Sequence, residues 1–291
     1  MKTSDNEVST QANAREASVK ADRPAEAKTS DNEVSAQVNA REARVKADRP
    51  AEANNVFQLD GEDIPFTPGQ TIMQAAKAAG VYIPHLCWHP DFSPHGSCKI
   101  CTVKVNGRFG SSCTMEAQAG MTVENRTAEL DDKRRTLLQM FFVEGNHFCP
   151  SCEKSGDCTL QATAYELKMM SPHFDMFYPD RPMDASHPDI LLDFNRCIMC
   201  SLCVTASREV DGKNVFAMGG RGILGRRIHI NSESGRLADT NFALTDRAAG
   251  ICPVGVILKK RRGFAVPIGE RRYDKTPINE QVKEQVKETA P

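Results

Sequence analysis

Cysteine carries the chemistry legible in this chain. There are eleven, none before Cys87, and pairs separated by two residues occur four times, which is ligand spacing rather than scatter. An odd number argues against a pure disulfide framework, and a reducing compartment would keep the residues as thiols. The first group is Cys87, Cys98, Cys101 and Cys113. Thiolates are soft ligands suited to zinc, copper(I) or iron–sulfur. Ten residues separate its first two cysteines, where plant-type ferredoxins have four, so it is not a plant-type site. A [2Fe–2S] cluster and a four-cysteine zinc ion both remain compatible with this spacing.

The second group, Cys149, Cys152 and Cys158, is one ligand short, and His147 is the nearest residue able to complete it. Neutral imidazole in place of a thiolate makes a cluster less negative and raises its potential. The third group is Cys197, Cys200 and Cys203, with a distant Cys252-Pro253. Bacterial two-cluster ferredoxins repeat C-x2-C-x2-C-x3-C-P, and the last cysteine of each run serves the other cluster. Here Ser207 stands at the fourth position of the first run, and Phe242, Thr245 and Ala248 stand at the first three positions of the second. The survivors are the four ligands of one [4Fe–4S] cluster, and the lost positions are those of the other. Eleven cysteines and His147 thus make three sets of four.

The elements that must position these loops are readable around them. VFQLDGEDIPFT alternates about Asp60-Gly61, TIMQAAKAAG is a helix that Gly80 can end, and TVKV and RFGSS flank Asn106-Gly107. Strand–strand–helix–strand–strand is the order of a β-grasp ferredoxin module. Residues 128–144 and about 158–169 read as helices. Pro172, Pro179, Pro182 and Pro188 mark a linker. DILLDFN and RRIHIN read as strands. The expected organisation is α+β. A tail occupies 1–53, a [2Fe–2S] β-grasp domain 54–125 and a small helical histidine-ligated domain 126–185. A ferredoxin-like [4Fe–4S] domain fills 186–273, and a second tail 274–291. Residues 2–27 recur almost unchanged as 28–53, differing only at Thr10/Ala36, Ala12/Val38 and Ser18/Arg44. So polar a repeat has little to bury and is expected to be disordered or transiently helical.

The combination of 87–113, EGNHFCPSCEKSGDCTLQ and RCIMCSLC…GICPVG resembles the iron–sulfur N-terminal region of the complex I large subunit and of [FeFe] hydrogenases. Within that group it is most similar to the small diaphorase (HoxU-type) subunits of NAD-reducing [NiFe] hydrogenases, over about residues 56–273. The resemblance implies a [2Fe–2S] cluster on the first group, a [4Fe–4S] cluster on His147 and the second group, and a [4Fe–4S] cluster on the third. It implies FMN and NAD(H) on a flavin-binding diaphorase partner, and a [NiFe] hydrogenase small and large subunit beyond. One departure stands out. In complex I and [FeFe] hydrogenases the histidine lies four residues before the first cysteine, where this chain has Gly145.

The expected function is therefore single-electron transfer, with no catalytic site on the chain. The alternatives are a subunit of an NAD-linked formate dehydrogenase or complex I-like module and, from another class, a zinc-stabilised interaction protein. Residues 253–291 are too few for a molybdopterin or H-cluster domain. Gly220, Gly222 and Gly225 match a dinucleotide fingerprint by letter, but a strand pattern follows where a helix is required. Lys259–Arg262 read as a solvated or partner-facing run rather than a nucleic-acid contact. His85, His89 and His95 read as loop residues, and the Phe and Met stripes in 137–142 and 169–177 as core or interface. A net charge of −1 gives no reason to expect a nucleic acid or an anionic membrane as partner, no apolar run reaches membrane-span length, and the lack of a signal-like N-terminus points to the cytoplasm.

Overall fold

A computed structural model describes residues 55–221 and 226–289. The tandem repeat lies outside the described residues, as do Gly222 and Gly225 of the glycine-rich stretch.

The first sheet begins as its turn residues dictate. Strand β1 (Val56–Leu59) pairs antiparallel with β2 (Glu62–Pro65), Leu59 opposite Glu62. Asp60 and Gly61 between them have φ of 51° and 88°, the two positive values of a tight type I′ hairpin. β3 (Thr102–Val105) and β4 (Arg108–Ser111) repeat the device at Asn106 and Gly107. A short strand unmarked in the sequence, β5 (Thr122–Glu124), enters between the two hairpins, parallel to β1 and antiparallel to β3. The order is β2-β1-β5-β3-β4, a β-grasp sheet. Helix α1 (Ile72–Ala78) buries Ile72, Met73, Ala75 and Ala76, and Thr71 and Gln74 form a capping box at its start.

Helix α2 (Ala128–Val143) follows a Thr127 cap and buries Leu130, Leu138 and Val143. Arg134, on the same helix, is fully buried. Helix α3 (Thr159–Glu166) is shorter than its apolar pattern predicts, because Lys168 turns into left-handed backbone at φ 55°. The proline-rich stretch that follows leaves Met170 and Phe177 exposed, whereas Leu138 of the earlier stripe is core. β7 (Ile190–Asp193) lies between β6 (Met183–Asp184) and β10 (Ile257–Lys259). β8 (Phe216–Gly219) pairs with β9 (Arg227–Ile230), and helix α4 (Leu202–Glu209) packs against the short α5 (Arg247–Gly250).

The segment after residue 273, expected as a tail, forms helix α7 (Ile278–Thr289) behind the short α6 (Arg272–Lys275). Ile278 and Val282, four residues apart on one face, pack with Tyr82 and Ala162. Among the described residues, no helix is long and apolar enough to cross a membrane.

Candidate metal centres

The first and third cysteine loops are shaped by backbone that ordinary side chains avoid. Lys99 sits between Cys98 and Cys101 at φ 58°, Met199 between Cys197 and Cys200 at 55°, and Ser201 between Cys200 and Cys203 at 61°. Such left-handed residues turn successive N–H groups inward toward negative charge. The Cys98 N–H accordingly points at Cys87 Sγ and the Met199 N–H at Cys197 Sγ, each at 3.4 Å.

The first group assembles on the edge of the β-grasp sheet. All four of its cysteines are buried, and Cys101 Sγ lies 3.3 Å from Cys113 Sγ. Arg134 reaches from α2 to fix this loop, donating through Nε to the carbonyl of Ile100 at 3.2 Å and through Nη2 to that of Thr102 at 2.8 Å.

The second group surrounds a small cavity lined by Phe142, His147, Cys149, Cys152, Cys158 and Arg196, among others. His147 is thereby brought to the three cysteines. Its ring stands edge-on to Phe142 at 5.6 Å, and its Nε2 is buried without a hydrogen-bond partner. Burial, reinforced by the Arg196 and Arg181 guanidiniums, lowers its pKa to about 4, so a neutral imidazole faces the cavity. A neutral imidazole carries a lone pair on one ring nitrogen, and a buried nitrogen with no hydrogen-bond partner is the kind of donor a metal uses. Gly145 makes the ring position possible: a Cβ at that residue would fall 2.5 Å from His147 Nε2.

The third group lines a second cavity, with Cys197, Cys200, Cys203 and Cys252 facing Leu192, Ile198, Phe216 and Val254. Burial raises the thiol of Cys197 to about 11, and that of Cys158 in the second group to about 12. Such thiols give up their protons when a metal replaces them. The positions where a second ferredoxin cluster would have its ligands are filled differently. Ser207 is buried and its Oγ accepts from the Val215 N–H at 2.8 Å, Phe242 packs edge-on against Phe216, and Ala248 is fully buried. Three of these four positions are now protein core, while Thr245 at the remaining one is exposed.

Two of the three sets line cavities, an arrangement with room for a multi-atom cluster, whereas the four bonds of a zinc ion meet at one point.

The loops also touch one another. The Thr159 N–H, beside Cys158, donates to the carbonyl of Pro253, beside Cys252, at 2.8 Å. Arg247, near the third group, donates to His89 Nε2 at 3.0 Å, two residues from Cys87. Locally, His85 Nδ1 bonds the Ile83 carbonyl, His89 Nδ1 accepts from the Asp91 N–H, and His95 Nε2 bonds the Ser97 hydroxyl.

Sequence reasoning missed three residues of this region. Arg196 donates from Nη1 to Cys152 Sγ at 3.4 Å and pairs with Glu153 and Asp193, each at 2.8 Å. Arg181 spans the carbonyls of Glu144 and Cys197 at 3.1 and 3.0 Å. Gly255 leaves room for this packing, since a Cβ there would stand 3.2 Å from Cys152 Sγ and 3.3 Å from Arg196 Cδ.

Three family models match in succession: a 2Fe-2S iron–sulfur cluster binding domain over residues 54–128, the NADH-ubiquinone oxidoreductase-G iron–sulfur binding region over 134–173, and a 4Fe-4S single cluster domain over 190–258. The NAD-reducing hydrogenase HoxS subunit gamma of Cupriavidus necator is 41% identical over 217 residues, covering 74% of this chain and 92% of the relative. The NADPH-Fe(3+) oxidoreductase subunit alpha of Geobacter sulfurreducens is 30% identical over 204 residues, 69% of this chain but only 24% of that longer protein. A chain in the crystal structure of NAD+-reducing [NiFe]-hydrogenase in the H2-reduced state superposes with a TM-score of 0.76 at 57% identity, covering 79% of this chain and 98% of the other. The chain therefore belongs to the family of the NAD-reducing hydrogenase HoxS subunit gamma.

Proposed function

We propose that this chain is the electron-relay subunit of a cytoplasmic NAD-reducing [NiFe] hydrogenase, linking a flavin- and NAD-binding diaphorase subunit to the hydrogenase small and large subunits. The observation that carries the reading is the buried, partnerless His147 Nε2 in one cavity with Cys149, Cys152 and Cys158. Cys87, Cys98, Cys101 and Cys113 hold a [2Fe–2S] cluster in this reading. His147 with its three cysteines holds one [4Fe–4S] cluster, and Cys197, Cys200, Cys203 and Cys252 hold the other. Such clusters, when bound, accept and release single electrons.

The chain's own residues bury the sites, exclude water and fix their spacing. Contacts between the ligand loops run from the first group to the third through Arg247 and His89, and from the third to the second through Pro253 and Thr159. In this reading the histidine site stands at one end of the relay and the β-grasp site at the other, and these two contacts support it. Hydride chemistry with NAD belongs to the partner, since a cluster takes one electron and a hydride delivers two. The hydrogenase reading is favoured over a formate dehydrogenase or complex I-like module because the match spans 92% of a hydrogenase subunit.

Iron and acid-labile sulfide analysis of anaerobically purified protein tests the assignment. About ten irons per chain are expected, two from the first site and four from each of the others. A value near two or six with every ligand intact, or a colourless zinc protein, would overturn it.

Gly145 offers a second check. Gly145→Ala drives a methyl group into the His147 ring or the Asn195 carbonyl, 3.1 Å away. The variant is expected to lose the iron of that site to a chelator about tenfold faster than wild type, the order of effect seen when a ligand's support is disturbed. The visible absorption of the chain followed over time under chelator gives the rate.

A further inference from the structure

Arg196 occupies a place that the ligand sets do not explain. It directly precedes Cys197 of the third group, yet its side chain turns back to the second. The guanidinium donates to Cys152 Sγ at 3.4 Å, and it is held in that pose by Asp193 on Nε and Glu153 on Nη1. Its side chain is only 19% exposed, so solvent screens it weakly. It also lines the cavity that His147, Cys149, Cys152 and Cys158 share. Gly255, where a Cβ would crowd both Cys152 Sγ and Arg196 Cδ, keeps the approach open.

We propose that Arg196 is a positioning residue for the second cluster, holding the Cys152 thiolate through a charge-assisted hydrogen bond and raising that site's reduction potential. The inference rests on the ligand reading above. A reduced cluster carries one more negative charge than an oxidised one. A permanently charged guanidinium beside a ligand sulfur stabilises the reduced form more than the oxidised one. The hydrogen bond acts in the same direction, because sulfur accepts more strongly as electron density rises. Glu153 acts against both: its carboxylate lies on the same Nη1 and adds negative charge next to Cys152. Arg196 and Glu153 therefore work as an opposed pair, and together they set how readily an electron rests at the histidine end of the relay.

This opposition separates tuning from mere structure. Arg196→Gln and Glu153→Gln break the same ion pair, so a purely structural pair would give shifts of the same sign, or none. The measurement is a redox titration followed by electron paramagnetic resonance on the full chain carrying all its clusters, with the [2Fe–2S] midpoint as internal reference. At fixed potential, Arg196→Gln is expected to lower the reduced-to-oxidised ratio of the second cluster about tenfold, about 59 mV for one electron. Glu153→Gln is expected to raise the ratio, and Arg196→Lys to fall between wild type and Arg196→Gln. Shifts of the same sign in the two glutamine variants, or no shift in either, would overturn the proposal. If Arg196→Gln fails to retain the cluster, Glu153→Gln and Arg196→Lys decide alone: the first must raise the ratio and the second must lower it. A wild-type protein without a third cluster signal would instead reject the ligand reading, which the iron count reports separately.

Discussion

His147→Ala is expected to cost the protein about four of its roughly ten irons while leaving the other two clusters in place. The reason is that no thiolate is free to replace the imidazole. The remaining cysteines belong to the first and third groups, which are built on separate loops. An alanine leaves the cavity beside Phe142 with three sulfurs and a fourth corner open to water. His147→Cys distinguishes a ligand from a packing residue. If the loop presents its thiolate, that variant assembles a cluster at lower potential than wild type, because a thiolate adds negative charge where the imidazole was neutral. Iron analysis and paramagnetic resonance of both variants report the outcome. Unchanged iron content and unchanged midpoints in both would make His147 a bystander.

What could be read from the sequence follows from how local each signal is. The cysteine groups announce themselves because ligands two residues apart lie on one tight loop, and spacing is a one-dimensional quantity. The hairpins at Asp60-Gly61 and Asn106-Gly107 were equally local, since the turn residues alone select a backbone with two positive φ values. β5 was not visible. It is three residues long and exists only because two hairpins leave a gap that its backbone fills. The helix at 278–289 carries no strong local signal, and its apolar Ile278 and Val282 acquire meaning only against Tyr82 and Ala162, far away in the chain. The arginines were invisible for the same reason. Nothing near Arg196 in sequence shows that its guanidinium reaches Cys152, and nothing around Gly145 shows that a histidine ring two residues on folds back over it. The candidate ligand sets needed only counting, whereas the residues that surround them required the third dimension.

Arg134 carries the largest stability effect expected from a single side chain outside the ligand sets. It is fully buried, and its donors reach the carbonyls of Ile100, Thr102 and Asn125, the side chain of Asn125 and the carboxylate of Asp131. No other side chain described here ties α2 to the β-grasp sheet through so many bonds. Arg134→Leu removes every donor at once and leaves unpaired the buried carbonyls of Ile100 and Asn125 and the part-buried carbonyl of Thr102. Each such orphan is costly, and the total is expected to be about 3 to 5 kcal/mol, a large fraction of the roughly 5–15 kcal/mol that holds a typical domain together. Arg134→Lys keeps the charge but not the planar fork, so it is expected to recover only part of the loss. The damage also has a direction. Ile100 lies between Cys98 and Cys101, so a freed Ile100 carbonyl loosens the first ligand loop before the other two. In urea, both variants should unfold at lower midpoints than wild type, and the absorption of the [2Fe–2S] site should bleach ahead of that of the [4Fe–4S] sites. A leucine variant that unfolds within about 1 kcal/mol of wild type would mean that the guanidinium's desolvation cost had cancelled its hydrogen bonds, as happens in some buried ion pairs replaced by apolar residues.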